Sequence, residues 1–349
     1  MQKRLILQLK QNRINEANFN FIFFITFAYI LIFFAGFRPI GFDFDSQKYL
    51  NLIVEDYQLL EPTFLLIRYF AELFTNDKEV IVRIIFLVYA FLNMLILSIA
   101  INKFVKFNLI SLLVYTFTAY AMITITQMRF GVAVAFFLWA IYDLSNSNSR
   151  GFIFKTLIAT SFHYSLAIAL PLVFLSPSSF NKRFYIMLPI LFVLSILLKD
   201  YFLTFLLSNI NLLPDYIGIK LKAYAFSEKY RTTSMPLINL LSLLIISIYY
   251  LSLLTIKKID NERLKIVIKI FAWGLAFYFL LSFTEVFAKR IMFTLATLMI
   301  VLIPFIVKNF KQKLLFLFFL FIYVFLYFIN LTVNNELLDY ELYFSKGIT

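Results

Sequence analysis

The single histidine of the chain, His163, lies in an apolar run over residues 153–175 that is long enough to cross a lipid bilayer. An ionisable side chain at membrane depth costs free energy, and such residues usually face a cavity or a partner inside the protein. Because imidazole exchanges a proton near neutral pH, His163 is a candidate general base for a hydroxyl. Ser161 and Ser165 are close enough in sequence to hydrogen-bond it. We expect His163 to lie near the middle of a membrane helix.

Arg129 begins a segment with small residues at positions 131, 133 and 135, which would let a neighbouring helix approach its backbone closely. An arginine at a helix start adds a permanently charged donor fork to the positive end of the helix dipole, an arrangement that suits phosphate oxygens. The alternative is that Arg129 extends toward lipid headgroups. Lys289 and Arg290 add cationic charge at the junction of two late apolar runs.

Carboxylates cluster after the first apolar run. Asp43 and Asp45 follow Arg38 closely, and paired acids at a membrane surface could bind sugar hydroxyls or a metal ion. The alternative is a solvated loop with an Arg38–Asp43 ion pair. Glu61 precedes Pro62, and because proline favours the first turn of a helix, Glu61 is either a chemical group or a helix cap.

The composition shows which elements must position these residues. Of the 349 residues, 62% are hydrophobic and 15% are charged, whereas soluble domains are roughly 45–50% apolar and about 25% charged. The long apolar runs have no polar face, which favours helices over the alternating strands of a barrel. They cover residues 19–36, 80–101, 108–126, 152–175, 236–256, 266–283, 291–307 and 314–333. We predict an all-α, polytopic integral membrane protein of about 10–11 transmembrane helices in a single domain over residues 1–349.

Several site classes are excluded by composition. The chain has no cysteine, so it has neither a disulfide framework nor a thiolate metal site, and one histidine cannot build a histidine-rich metal cage. Its net charge of +13 comes from Lys and Arg residues scattered through short loops, which indicates membrane topology rather than a nucleic-acid partner. The basic amino end leads into an apolar run without a small-residue cleavage site, so we expect a retained first helix.

Loops rich in Lys and Arg usually stay cytoplasmic. This rule places the amino end, residues 257–265 and residues 308–313 inside, and it predicts exterior loops at about 37–79 and 208–235 and an exterior acidic tail at 336–341. Counts from the two ends then disagree by one crossing. Either residues 184–213 make two passes or a re-entrant hairpin, with a turn at Lys199-Asp200, or residues 62–74 also cross. We favour the turn because it keeps Lys103 and Lys106 inside.

Together these landmarks resemble the Wzy/EpsG family of polysaccharide polymerases. The resemblance covers nearly the whole chain. The matching residues are Gly41, Asp43, Tyr49, Glu61, Arg129, Gly131, Ala133, Phe162, His163, Ser165, Lys289, Arg290 and Phe293. It implies polymerisation of oligosaccharide units carried on undecaprenyl diphosphate, at the outer face of the bacterial inner membrane, without a nucleotide sugar, a metal or another cofactor. A chain-length regulator and a flippase are the partners that such a pathway implies.

In the implied reaction the leaving group is a lipid diphosphate, whose developing charge can be stabilised by fixed cations. We assign this role to Arg129 and Arg290, with Lys289 and Arg38 helping to bind the diphosphate.

The same reaction needs a base and groups that hold the sugars. His163 is the first choice for the base and Glu61 the second, and His163 could instead orient the diphosphate. Asp43 and Asp45 are assigned to sugar hydroxyls.

Other functions remain open. The acids Asp43 and Asp45 also resemble the acidic motif of membrane glycosyltransferases that use a polyprenyl-phosphate sugar and often a divalent ion. A membrane O-acyltransferase would also use one intramembrane histidine, but no accompanying Asn or Asp is evident. A flippase for lipid-linked oligosaccharides would line its path with buried Arg and His, although transporters often show internal repeats that are not evident here.

Overall fold

The computed structural model describes residues 2–55, 60–106, 108–176, 183–209, 239–257, 261–282, 285–334 and 337–339. In these residues the regular elements are helices, and the only extended pairing is an isolated bridge between Asp43 and Leu338. This confirms the predicted all-α class. The chain divides into two compact units, Met1–Val173 with Phe310–Thr349, and Phe174–Asn309. The prediction of a single domain over residues 1–349 stays a prediction.

The first unit contains most of the predicted site residues. Its α-helices are α1 (Gln2–Gly36), α2 (Ser46–Val54), α3 (Pro62–Glu72), α4 (Lys78–Val105), α5 (Leu109–Tyr115), α6 (Met128–Ser145) and α7 (Ser149–Phe162). Two less common helices complete them: a π-helix at Thr116–Thr126, here called the π-segment, and a 3-10 helix at Tyr164–Phe174, here called the 3-10 segment, whose last residue belongs to the second unit. The helix nearest the carboxyl end, α12 (Lys313–Ile329), is followed by a short π-turn at Asn330–Asn334.

The second unit contains α8 (Arg183–Ser208), α9 (Leu240–Ile256), α10 (Glu262–Leu280) and α11 (Glu285–Asn309). Aromatic rings pack α9 against its neighbours. The Tyr249 ring stacks on Phe271 of α10 with 6.3 Å between centroids, and its hydroxyl donates to the Phe184 carbonyl of α8 at 2.9 Å.

Six helices of the described residues are long and apolar enough to cross a membrane, which confirms a multi-pass membrane protein. They are Asn18–Gly36, Lys78–Val105, Leu109–Thr126, Met128–Ser145, Val286–Asn309 and Lys313–Val333. Three apolar helices are shorter, namely Tyr164–Phe174, Arg183–Leu198 within α8, and Leu240–Ile256. The predicted total of about 10–11 transmembrane helices stays a prediction.

The prediction that His163 lies in mid-helix is wrong. The helix α7 ends at Phe162, and His163 has an extended backbone with φ −157° and ψ 115°. The amide of Ser165 donates to the His163 ring nitrogen instead of continuing a helical ladder. Pro171, which has no N–H to donate, lies in the 3-10 segment that follows.

The predicted turn at Lys199-Asp200 is also wrong. The backbone of α8 is helical from Arg183 to Ser208, because neither residue breaks a helix as glycine or proline does. Crossing by residues 62–74 receives no support either, because the 11 residues of α3 extend only about 16 Å, against roughly 30 Å of hydrocarbon. Of the predicted exterior loop at about 208–235, residues 210–235 lie outside the described residues.

The predicted first exterior loop, at about 37–79, is largely helical, since it contains α2 and α3. Residues of the carboxyl-terminal tail contact the start of this loop. Leu338 pairs with Asp43, and the Asp339 amide donates to the Phe42 carbonyl at 2.7 Å. This contact supports the prediction that the loop and the tail lie on one side of the membrane.

Candidate functional site

Arg38 lies in the turn that follows α1, and its side chain is fully buried. Its Nε donates to Asp43 Oδ2 at 2.9 Å, and its two terminal nitrogens donate to the carbonyls of Ala35 at 2.5 Å and Ile125 at 2.7 Å. The guanidinium carbon lies 3.7 Å from the centre of the Phe86 ring. The Arg38–Asp43 ion pair of the alternative interpretation is therefore confirmed, but the solvated loop that went with it is wrong, because both side chains are 0% exposed. All three guanidinium nitrogens bond inside the protein.

Both oxygens of the Asp43 carboxylate also accept hydrogen bonds within the protein. Its Oδ1 accepts from the backbone amides of Asp45 at 3.1 Å and Ser46 at 3.2 Å, which fixes the start of α2. Asp45 is not directed to the same place, because its carboxylate pairs with Lys48 at 2.5 Å. Gly41 permits the turn between Arg38 and Asp43 because its φ is 96°. No three His, Asp or Glu side chains of the described residues are grouped as metal ligands. The assignment of Asp43 and Asp45 to sugar hydroxyls stays a prediction.

Glu61 is the residue before α3, with Pro62 in the first turn as predicted. Its side chain makes no cap hydrogen bond. It forms an ion pair with Arg129 Nη1, which lies 68 residues further along the chain at the start of α6. The Glu61 side chain is 6% exposed and that of Arg129 is 20% exposed. Glu61 therefore does occupy the cap position of α3, where its backbone carbonyl accepts from the Phe64 and Leu65 amides, while its carboxylate pairs with Arg129 instead of capping the helix.

Aromatic rings surround this ion pair. The guanidinium carbon of Arg129 lies 5.5 Å from the ring centre of Tyr49 and 5.3 Å from that of Phe64, and these rings stack at 6.1 Å. Burial raises the pKa of the Tyr49 phenol to about 12, so this group is a neutral O–H at physiological pH. The Arg129 Nε is buried without a hydrogen-bond partner among the described residues. Aromatic faces attract the cation and limit its contact with water.

His163 lies beside the start of α6. Its ring contacts the ring of Phe130, the residue after Arg129, with 5.2 Å between centroids. Its Nδ1 lies 3.3 Å from the Ser165 amide and 2.8 Å from the Ser165 hydroxyl. Because a backbone N–H can only donate, Nδ1 is the acceptor, and the proton of the neutral ring is on Nε2.

Two hydrogen bonds attach the start of α3 to the break between α7 and the 3-10 segment. Thr63 Oγ1 donates to the Ser161 carbonyl at 2.8 Å, and the Tyr164 hydroxyl donates to the Leu60 carbonyl at 3.4 Å. Three segments that are distant in sequence thus meet in the first unit. We call this meeting point the junction site, and it consists of Glu61, Arg129 and His163 with the rings of Tyr49 and Phe64.

Lys289 and Arg290 lie in the first turns of α11, in the second unit, and both are half-buried. The Arg290 Nε is buried without a hydrogen-bond partner among the described residues. Their predicted part in binding a diphosphate together with Arg129 stays a prediction.

Sequence reasoning missed a polar cluster inside the apolar helices of the first unit, which we call the triad: Asn93, Tyr115 and Thr124. The Tyr115 hydroxyl donates to Asn93 Oδ1 at 3.1 Å and lies 2.7 Å from Thr124 Oγ1, which donates to Asn93 Oδ1 at 3.2 Å. The signal was an amide in the apolar run of α4, since polar groups in hydrocarbon need partners.

A family model described as the EpsG family matches residues 21–343. No curated protein and no solved structure matches the chain.

Proposed function

The chain belongs to the EpsG family. This membership, together with the membrane helices, supports the conclusion that it is a membrane protein of the polysaccharide-polymerase type. From this premise we propose that it transfers a glycan from a lipid diphosphate onto the non-reducing end of another lipid-linked repeat unit. The lipid is undecaprenyl diphosphate, and the reaction takes place at the outer face of the bacterial inner membrane without a metal. The product is an O-antigen, capsule or exopolysaccharide.

The observation that carries this proposal is the junction site. The packing of three helix ends pairs the Glu61 carboxylate with the Arg129 guanidinium and sets the His163 ring against Phe130, the residue after Arg129. Glycosyl transfer from a diphosphate needs a cation for the leaving group and an acceptor for one proton. The junction site contains both kinds of group.

Arg129 is the cation that we assign to the leaving diphosphate. In the resting protein its Nη1 is paired with Glu61, while its Nε has no hydrogen-bond partner among the described residues. A diphosphate offers more negative charge than one carboxylate and matches the planar donor fork of arginine. Diphosphate oxygens therefore replace the Glu61 carboxylate when substrate binds. Charge interactions are strong at this position because the side chains around it exclude most water.

Glu61 is the base in this proposal. The acceptor hydroxyl oxygen attacks the anomeric carbon, the bond from that carbon to the diphosphate oxygen breaks, and the electron pair leaves with the diphosphate. The hydroxyl proton passes to the Glu61 carboxylate that Arg129 has released. The sequence favours His163 as the base, but its Nδ1 already accepts from Ser165. Its Nε2–H is a donor, which favours contact with the diphosphate.

The alternative enzyme is a glycosyltransferase that would use a polyprenyl-phosphate sugar and a carboxylate-bound metal. The arrangement of the acids near α2 argues against it. Both oxygens of Asp43 are engaged by Arg38 and by two backbone amides, and Asp45 pairs with Lys48. Carboxylates that share a metal converge on it, and these two side chains have separate partners.

Reconstitution tests the proposal. The purified protein is placed in liposomes with lipid-diphosphate-linked repeat units, and glycan length is followed on gels with and without a chelator. We expect chain growth that the chelator leaves unchanged and that Arg129→Ala slows about a thousandfold. Arg83→Ala is the matched control, because Arg83 is exposed on α4. Movement of the glycan across the bilayer without growth would instead identify a flippase, and growth that needs a divalent ion would support the rival enzyme.

A further inference from the structure

The end of the π-segment is contacted by four other elements at three successive residues. The Ile125 carbonyl accepts from Arg38, which follows α1, and the Thr124 hydroxyl bonds to Asn93 of α4 and Tyr115 of α5. The Ile123 carbonyl lies directly against Gly131 of α6. Long π-helices are rare, and isolated π-turns occur frequently at functional sites, so a structure held by this many partners requires an explanation.

Gly131 shows how tightly α6 is held against this end. A Cβ at position 131 would overlap the Ile123 carbonyl oxygen and would lie 2.6 Å from Asn93 Nδ2. Any larger residue would push α6 away from the π-segment or from α4. Gly131 is therefore required because α6 approaches the π-segment and α4 closely at this position. Asn93 is part of the α4 surface that Gly131 faces.

The π-segment leads directly into the helix that carries Arg129. Gln127 follows Thr126, its amide donates to the Met122 carbonyl at 2.8 Å, and α6 begins at the next residue, Met128. Arg129 is thus five residues after Thr124. The position of the guanidinium depends on how the last turn of the π-segment is wound.

We propose that the triad of Asn93, Tyr115 and Thr124 is a positioning device for Arg129. The triad holds the last turn of the π-segment in its π register, and this register places the guanidinium against Glu61. The three residues bear on the reaction only through Arg129, so the inference deepens the proposed function and rests on it. The triad is buried, with Asn93, Tyr115 and Thr124 each 1% exposed, so its hydrogen bonds do not compete with water.

A geometric experiment tests this device without any substrate. The natural chain has no cysteine, so a variant carrying Glu61→Cys and Arg129→Cys contains only the two thiols of interest. A short bifunctional thiol reagent in membranes then reports how often these positions are close. Adding Thr124→Val removes the hydroxyl and keeps the side-chain shape, and we expect the cross-linked fraction to fall about tenfold. Thr124→Ser, which keeps the hydroxyl, should restore it.

Thr118→Val is the matched control. Thr118 lies in the same π-segment and is equally buried, but its hydroxyl donates at 2.7 Å to the Val114 carbonyl in the preceding turn. We expect cross-linking to be unchanged in this variant. An equal fall for Thr118→Val and Thr124→Val, or no fall for Thr124→Val, would overturn the proposal. If Thr124→Val does not accumulate, Tyr115→Phe removes one hydroxyl from the triad and takes its place.

A second measurement links the device to activity. In liposomes with lipid-diphosphate-linked units, Thr124→Val should slow chain growth about tenfold in the natural background and should have no further effect on the residual rate in an Arg129→Ala background. Multiplied losses in the double variant would show that the triad does not act through Arg129. If the natural protein gave no chain growth at all, the proposed function would fail, while the cross-linking result would still decide whether the triad positions residue 129.

Discussion

Two of the arginine–carboxylate pairs in the first compact unit, Arg38–Asp43 and Arg129–Glu61, are built differently. Arg38 and Asp43 are five residues apart in the chain, and both side chains are 0% exposed. Glu61 and Arg129 are 68 residues apart, and their side chains are 6% and 20% exposed. The first pair is formed by a single turn, whereas the second exists only when α3 and α6 pack together.

The two guanidinium groups also differ in how many of their nitrogens donate hydrogen bonds within the protein. All three nitrogens of Arg38 donate within the protein, and its carboxylate partner also holds the start of α2. Arg129 leaves its Nε without a partner among the described residues, and its main neighbours are aromatic rings. A pair whose hydrogen bonds are satisfied stabilises the fold, and we call Arg38–Asp43 the closed pair. A pair with a donor to spare and a partly exposed cation can exchange its carboxylate for a substrate anion, and we call Glu61–Arg129 the open pair.

The largest expected effect comes from the open pair. Arg129→Ala should lower the rate of chain growth about a thousandfold, because it removes a fixed charge from the leaving group. Arg129→Lys keeps a charge but loses the planar fork, so its loss should be smaller. Both rates are measured in liposomes at equal protein level, with Arg83→Ala as the unaffected control. Normal chain growth in Arg129→Ala would mean that the open pair is as structural as the closed one.

Disrupting the closed pair should lower the stability of the fold. Asp43→Asn keeps an acceptor for the α2 amides but leaves the buried Arg38 cation without its counter-charge, which should cost about 3 kcal/mol of unfolding free energy. If Asp43 only holds the fold together, chain growth per folded molecule remains near normal, whereas the predicted part in holding sugar hydroxyls would lower it. Unfolding in detergent measures the first quantity, and Asp45→Asn, on the more exposed neighbour, should change it little. A large loss of activity at normal stability would place Asp43 in the reacting site.

The contrast between the pairs also explains how much the sequence could reveal. Composition and apolar runs are sufficient for the all-α membrane fold, and the Arg38–Asp43 pair is one of two alternatives that the sequence offers, because its partners share one loop. Glu61 and Arg129 could each be singled out, but their pairing could not, because it depends on packing between segments 68 residues apart. The triad was missed for the same reason, since its members belong to three helices.

The wrong predictions concern backbone breaks. Hydropathy averages over a window, so it placed His163 inside one long span although Ser165 and Pro171 disturb the helix locally. The reverse error concerns Lys199-Asp200, where two adjacent charged residues predict a turn that the structure does not have. Charge is unfavourable in hydrocarbon, but it does not prevent helical hydrogen bonding, and α8 continues through them.

Substitution of His163, which lies next to the open pair in the junction site, should lower the rate of chain growth less than substitution of Arg129. If the ring donates through Nε2, then His163→Gln, which keeps an N–H donor, should lower chain growth about tenfold, and His163→Leu should lower it about a hundredfold. Rates at equal protein level distinguish the two roles. Equal losses in both variants would indicate that proton acceptance by the ring is essential, and Glu61 would then lose its assignment as the base.

The smallest effect concerns Tyr49, whose ring stacks beside Arg129. Its buried phenol has a pKa of about 12, against an ordinary value of 10.0, so folding favours the protonated form. That contribution is complete below pH 10 and is lost as the pH rises from 10 toward 12. Between pH 9 and 11 the natural protein should therefore lose about 1 kcal/mol of unfolding free energy relative to Tyr49→Phe, which has no phenol to ionise.

The other tyrosines titrate in both proteins, so the difference between them isolates position 49. Tyr69→Phe is the matched control, because Tyr69 is 58% exposed on α3 and its variant should show no such pH-dependent difference. A flat difference for Tyr49→Phe as well would mean that water reaches the rings around Arg129. The charge of Arg129 would then be screened as at a surface, and the open pair could not stabilise a diphosphate more strongly than a lipid headgroup region does.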